Sequence, residues 1–229
     1  MAKILFVLTG ADHWTLKDGT QHPTGFWAEE FVAPYLAFTE AGHEVVVASP
    51  GAVTPAVDRG SLSADANGGQ DAADRIAAVL DGATELKNPV DLASVDVNAY
   101  DAVFYPGGHG PMEDLAVSAD SARVLTESLG SGKPLAIVCH GPAALLATDE
   151  AGDSPFRGYR LTAFTNDEES QAGLADKAPW LLQDRLVDLG VSFDEGPPWA
   201  PNVVVDRNLH TGQNPASSAP LAQRVLEAL

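Results

Sequence analysis

One cysteine, Cys139, is all the chain possesses, which excludes an internal disulfide and leaves packing alone to hold the fold. A reducing, cytoplasmic setting is therefore expected. Basic residues are also scarce: 13 Lys and Arg stand against 32 Asp and Glu, a formal net charge of −19. A field of that sign repels nucleic acid, anionic membranes and polyanionic substrates. The acidity is spread along the chain rather than gathered in a tail, as solubility requires. No apolar run approaches the ~18 residues of a membrane span. The opening Met-Ala-Lys-Ile-Leu-Phe-Val-Leu is too short for a signal sequence and reads as a buried strand. The six histidines show no close pairing or recognisable zinc spacing, and neither a full dinucleotide fingerprint nor a P-loop occurs. No metal, cofactor, nucleic acid or membrane is expected.

What is present is enough apolar matter for one large core. With 229 residues, 45% of them hydrophobic, the chain is expected to form a single domain over residues 1–229. Short apolar, β-branched stretches predict strands over residues 3–8, 43–49, 102–105, 134–138, 161–164 and 202–205. Helices are predicted over 26–41, 71–80, 119–129, 142–147, 178–189 and 215–229, the last with Asn214 as cap and Pro215 in its first turn. Residues 50–69, rich in Gly, Pro, Ala and Asp, read as an irregular connection or a small hairpin. Strand–helix alternation implies an α/β fold with a mostly parallel sheet, helices on both faces and sites at the carboxyl ends of strands.

Cys139 sits at such an end. The apolar run ending at Val138 stops at Cys139-His140-Gly141-Pro142, where a helix can begin. A sulfur under a helix N-terminus and beside His140 is expected to be an exposed nucleophile, its pKa lowered from about 8.5 into the range of roughly 3.5 to 7.5. A small buried core residue is the ordinary alternative.

Three segments converge on it if the topology holds. Pro106-Gly107-Gly108-His109-Gly110 follows the strand over 102–105 and offers N–H groups for an oxyanion site, a tight turn being the alternative. In the helix over 26–41, Trp27, Phe31, Pro34, Tyr35 and Phe38 mark a buried stripe with Glu30 at its edge. Glu30 is then a candidate for a raised pKa, whereas Glu29 points to solvent and Pro34 is expected to kink the helix. Downstream, one carboxylate of Asn166-Asp167-Glu168-Glu169 can fix the tautomer of His140. His13, Trp14 and His22 lie in a loop able to cover the strand ends, and Trp14, Trp27 and Trp199 can wall a small pocket.

Taken together, Thr24 to Glu30, Tyr-Pro-Gly-Gly-His-Gly (Tyr105 to Gly110), Ala-Ile-Val-Cys-His-Gly-Pro-Ala (Ala136 to Ala143) and Thr-Gly-Gln-Asn-Pro-Ala-Ser (Thr211 to Ser217) resemble the PfpI and parkinsonism-associated deglycase superfamily. The match is to its branch of heat-shock chaperones with glutathione-independent glyoxalase activity, and it runs from the first strand to the last helix. The resemblance implies a flavodoxin-like three-layer α/β/α sandwich of the class I glutamine amidotransferase-like kind. It implies Cys139 as nucleophile, Glu30 as the carboxyl group touching it, His140 as general base and Glu169 as the acid orienting that base, with Glu168 as the neighbouring alternative. It also implies an oxyanion site from the N–H groups of Gly108 and His140, beside Gly107, and a possible homodimer. His210 receives no role.

Glutamine amidotransferases of this fold carry a glycine two residues before the cysteine and a His-x-Glu pair near the C-terminus. Ile137 occupies the first position and the second motif is missing, so glutamine hydrolysis is not expected. The resemblance implies a cofactor-free lyase of the glyoxalase III, D-lactate dehydratase type, acting on small α-oxoaldehydes such as methylglyoxal. A holdase chaperone or protein deglycase, and a cysteine peptidase or small-molecule hydrolase or hydratase, stand as alternatives.

Overall fold

The computed structural model of the protein describes residues 1–149 and 151–229. The chain runs β1 (Lys3–Val7), a hairpin of β2 (His13–Thr15) and β3 (Gln21–Pro23), α1 (Ala28–Glu40) and β4 (Glu44–Ser49). After an irregular stretch come α2 (Gln70–Gly82), α3 (Thr84–Lys87), β5 (Val90–Asp91), β6 (Ala102–Tyr105), α4 (Gly110–Glu113), α5 (Ala119–Ser131) and β7 (Leu135–Val138). A 3₁₀ helix (Gly141–Thr148) leads to β8 (Arg160–Leu161), α6 (Asn166–Gln171), α7 (Leu182–Leu189), β9 (Ser192–Phe193), β10 (Val203–Asp206), β11 (Leu209–Gly212) and α8 (Ser218–Ala228). Among the described residues, no helix is long and apolar enough to cross a membrane.

The main sheet has the order β10-β11-β7-β6-β1-β4-β5, parallel except for the β10–β11 pair. This is the flavodoxin-like three-layer fold expected. Every residue of β6 and β7 is buried, because helices cover both faces: α1 packs on α8, and α5 on the 3₁₀ helix. A strand covered twice has no polar side to alternate with its apolar one, so such strands read as continuous apolar runs. In the core, the Phe6 ring stacks on Phe104 at 5.1 Å and meets Phe31 and Phe38 edge-on at 5.4 and 5.9 Å. From β1 the chain builds outward through β4 and β5, then returns to the other side for β6 and β7. The crevice at that reversal, over the strands' carboxyl ends, is where open α/β sheets place their sites.

Several expectations need correction. The run over 142–147 is 3₁₀ rather than α, so fewer aligned peptides stand behind Cys139 than a full helix would supply. The strand expected over 161–164 lasts only two residues and pairs with β9 in a separate small sheet. Beyond it, the Phe164 amide turns to donate to the Cys139 carbonyl at 2.9 Å. Asn214 does not cap the last helix; its amide donates instead to Glu168 Oε1 and to the Ala200 carbonyl, both at 2.8 Å. Pro34 lies inside α1 without dividing it. Glu29 is half-buried rather than solvated, and burial raises its pKa. Trp27 and Tyr35 are likewise only half-buried. The loop holding His13, Trp14 and His22 is a paired hairpin.

Phe6→Ala removes the ring on which three other aromatic side chains rest. It is expected to cost about 3–5 kcal/mol, read as a lowered urea midpoint at unchanged slope.

Candidate active site

Cys139 follows β7 directly and adopts φ of 59°, the left-handed region that a residue with a Cβ enters at a cost of roughly 1–3 kcal/mol. The turn is held from both sides: the Cys139 amide donates to the Gly212 carbonyl at 2.9 Å, and the Cys139 carbonyl accepts from Phe164. The sulfur is thereby thrown off the sheet edge while the residue stays only 3% exposed, recessed rather than open.

Two other elements reach it. Glu30, in the first turn of α1, is fully buried; its Oε2 accepts from the Gly107 amide at 2.7 Å, and its carboxyl lies within hydrogen-bonding reach of the Cys139 thiol. Gly107 has to be glycine. A Cβ there would stand 2.6 Å from the His140 amide nitrogen, 2.7 Å from the Val138 carbonyl oxygen and 2.8 Å from Glu30 Oε2. The next residue, Gly108, has φ of 87°, and its N–H is directed at the sulfur, favouring the ionised form.

His140 Nδ1 lies 3.3 Å from Cys139 Sγ, and its Nε2 lies 2.7 Å from Glu169 Oε2. The structure brings Glu169, not Glu168, to the histidine, and local geometry decides this. Thr165 and Glu168 form a reciprocal capping box at the start of α6. Glu168 Oε2 accepts from the Thr165 amide and hydroxyl, while Oε1 accepts from the Trp199 amide and Asn214. Glu168 is thus spent on anchoring, and Glu169, one residue on, turns inward.

A residue without a role in the sequence reading joins them. His109 Nε2 lies 2.9 Å from Glu169 Oε1, so one carboxylate holds two imidazoles whose ring centres are 4.0 Å apart. Two of the six histidines, His109 and His140, which lie far apart in the sequence, thus meet in space. The signal available in the sequence was a histidine in a glycine-rich turn after a buried strand. The ligand atoms of His109, His140 and Glu169 lie within 4.8 Å of one another, as a metal would need. Their 2.7 and 2.9 Å N–O separations are those of hydrogen bonds, which account for the clustering through shared protons.

Electrostatics sets Glu169 apart from Glu30, Cys139 and His140. Glu169 is held well below the usual carboxylate range: burial opposes this, but the two histidines outweigh it. Burial, with His109 alongside, lowers His140 and keeps its ring neutral. With Nε2–H donated to Glu169, His140 Nδ1 is left with a lone pair facing the thiol. Burial pushes the Glu30 carboxyl up from 4.5 to about 8, so at neutral pH it is a carboxylic acid. Burial also pushes the Cys139 thiol up, and an ionised Glu30 would push it further. The acidified thiolate expected from the strand-end position is not what these surroundings favour; the resting thiol has a base, His140, in place to take its proton.

The site opens onto a cleft of about 1400 Å³ whose walls include Trp27, Trp199, Leu62, Leu174, Arg59 and His109. Cys139 is not among its lining residues. Trp14 does not wall the cleft either: it is 1% exposed and stacks behind His109 at 5.1 Å. The cleft is larger than the small pocket expected, because the irregular 50–69 stretch and the α6 end stand apart. His210, on β11, is buried with its Nδ1 unpartnered among the described residues.

A native carboxyl with a pKa above its unfolded value keeps a proton that the unfolded chain loses, so it destabilises the fold increasingly as pH rises from about 4.5 to about 8. Glu30→Gln keeps the oxygen that accepts from Gly107 and removes that penalty. It is expected to raise the unfolding free energy read from urea titrations, with a gap over the parent that widens across that interval to roughly a few kcal/mol; a gap independent of pH would contradict a buried, protonated Glu30.

A model of the DJ-1/PfpI family matches residues 23–228. Glutamine amidotransferase-like class 1 domain-containing protein 1 of Bos taurus is 37% identical over 61% of this chain, and the match spans 64% of that relative's length, just under two thirds. Glyoxalase 3 of Candida albicans is 30% identical over 100% of this chain and 98% of its own. A crystal structure of glyoxalase III from Candida albicans superposes with a TM-score of 0.83 at 27% identity, covering 100% of this chain and 97% of that one. Sequence and architecture agree along the whole length, and the chain belongs to the DJ-1/PfpI family.

Proposed function

We propose that the protein is a glutathione-independent glyoxalase that converts small α-oxoaldehydes of the methylglyoxal type to 2-hydroxy acids. The observation that carries this reading is the enclosure of Cys139 between a base, His140, and an uncharged acid, Glu30. Isomerising an oxoaldehyde requires two proton carriers, one at carbon and one at oxygen.

Cys139 Sγ attacks the aldehyde carbon while its proton passes to His140 Nδ1, 3.3 Å away. The former aldehyde oxygen becomes an anion facing the N–H groups of Gly108 and His140, and takes the proton of Glu30 to give a hemithioacetal. Glu30, now a carboxylate, removes the hydrogen from that same carbon as the His140 imidazolium protonates the neighbouring ketone oxygen, forming an enediol. Glu30 returns its proton to the second carbon and His140 takes the hydroxyl proton from the first, leaving a 2-hydroxyacyl thioester on Cys139. Water then releases the acid. A carboxyl near 8 suits both directions of transfer near neutral pH. The ionised Glu169 offsets the imidazolium each time it forms.

Methylglyoxal turnover to lactate is expected to vanish in Cys139→Ser. In Glu169→Gln it is expected to fall about 10²–10⁴-fold in kcat with a smaller change in KM. Lactate formation surviving in Cys139→Ser would reject the mechanism.

A further inference from the structure

The isomerisation uses His140 and Glu30 for its proton transfers and leaves His109 idle, although His109 is bound to the same carboxylate. Its surroundings differ from those of His140 in one respect. His140 is 2% exposed with both ring nitrogens engaged, one by sulfur and one by Glu169. His109 lines the cleft; its Nε2 is held by Glu169, while among the described residues its Nδ1 has no side-chain partner and is not a sealed, unpartnered atom. In the neutral ring, Nε2–H donated to the Glu169 carboxylate leaves Nδ1 as the acceptor on a side chain that lines the cleft. The ring is held by Trp14 stacked at 5.1 Å on one side and by His140 at 4.0 Å. His109 also directly follows Gly108, whose N–H points at the sulfur, so this base belongs to the same turn as the oxyanion donor.

We propose that His109 is a second catalytic base, serving the hydrolytic half of the reaction: it takes a proton from the water that attacks the thioester on Cys139. This rests on the glyoxalase reading above and assigns the step which that reading left to water alone. The water O–H proton goes to His109 Nδ1 as its oxygen bonds to the acyl carbon. The tetrahedral intermediate collapses with cleavage of the C–S bond, the electron pair leaving on sulfur, which recovers its proton from the His140 imidazolium. The remaining proton of the attacking water passes from the product acid to Glu30, and His109 gives up its proton to solvent through the cleft, so the released hydroxy acid departs as its anion. In the tetrahedral intermediate both rings are imidazolium, His109 newly protonated and His140 not yet discharged; Glu169 lies between them, and the intermediate's oxyanion and the Glu30 carboxylate supply the remaining negative charge. The two bases thus share one carboxylate through the hydrolytic half.

The test is to mix His109→Phe and His109→Asn with methylglyoxal, quench in acid, and treat with hydroxylamine, which converts a lactoyl thioester to the hydroxamate but leaves a reversible hemithioacetal to dissociate. Phe preserves the stack on Trp14; melting temperatures verify folding of both variants. The expected result is near-stoichiometric lactoyl adduct on Cys139 in the variants within the first turnover, with lactate release slowed about 10²–10⁴-fold and little adduct on the parent. Lactate release that falls without adduct accumulation assigns His109 to positioning Glu169 and overturns the proposal, as does release that is unchanged. A parent enzyme forming no lactate would instead overturn the glyoxalase reading, and this inference with it.

Discussion

A carboxyl group denied water sets the conditions for everything around it. Glu30 is completely buried, with one oxygen committed to the Gly107 amide. Ionising it there would place an unpaired charge in a dry environment, so it holds its proton to about pH 8. Its neutrality spares Cys139 a repelling charge and supplies an acid beside the sulfur. The demand extends to the backbone: Gly107 must lack a Cβ for the carboxyl, the His140 amide and the strand end to meet. Cys139 must accept a left-handed conformation to aim its sulfur into that meeting point.

The second organising device is charge economy. Glu169 is held well below the usual carboxylate range, and two histidines share it. Sharing one carboxylate lets either ring become an imidazolium without a new charge having to be buried unpaired. The capping box of α6 makes this possible by diverting the adjacent Glu168 to the Trp199 loop and to Asn214. Two neighbouring glutamates thus differ in role because one is consumed by the helix start and the other lies past it.

How much of this could be read from the residues follows from the range of the forces involved. Strands buried on both faces announce themselves, and the expected 3–8 and 134–138 segments match Lys3–Val7 and Leu135–Val138 to within a residue. Leu209–Gly212 escaped, although it lies inside the sheet beside β7. Its Leu-His-Thr-Gly carries no apolar run, and its burial comes from the neighbours that enclose it. The convergence of Cys139, His140, Glu30 and the Gly107–Gly108 turn was legible because each follows or faces a strand end. The choice of Glu169 over Glu168 was not legible, since it depends on which carboxylate a capping threonine captures. Nor was the pairing of His109 with Glu169, which spans sixty positions of chain. The thiol's ionisation was misjudged for a related reason: a strand end and a following turn suggested an exposed anion, whereas tertiary packing sealed the sulfur and made desolvation the largest influence on it.

Because the account depends on Glu30 being an uncharged acid in the resting enzyme, its carboxyl is the group to observe. Infrared difference spectroscopy of the parent against Glu30→Gln isolates that single side chain. The account predicts a protonated carboxylic C=O band at neutral pH that gives way to carboxylate bands as pH rises through about 8; carboxylate bands alone at neutral pH would contradict it.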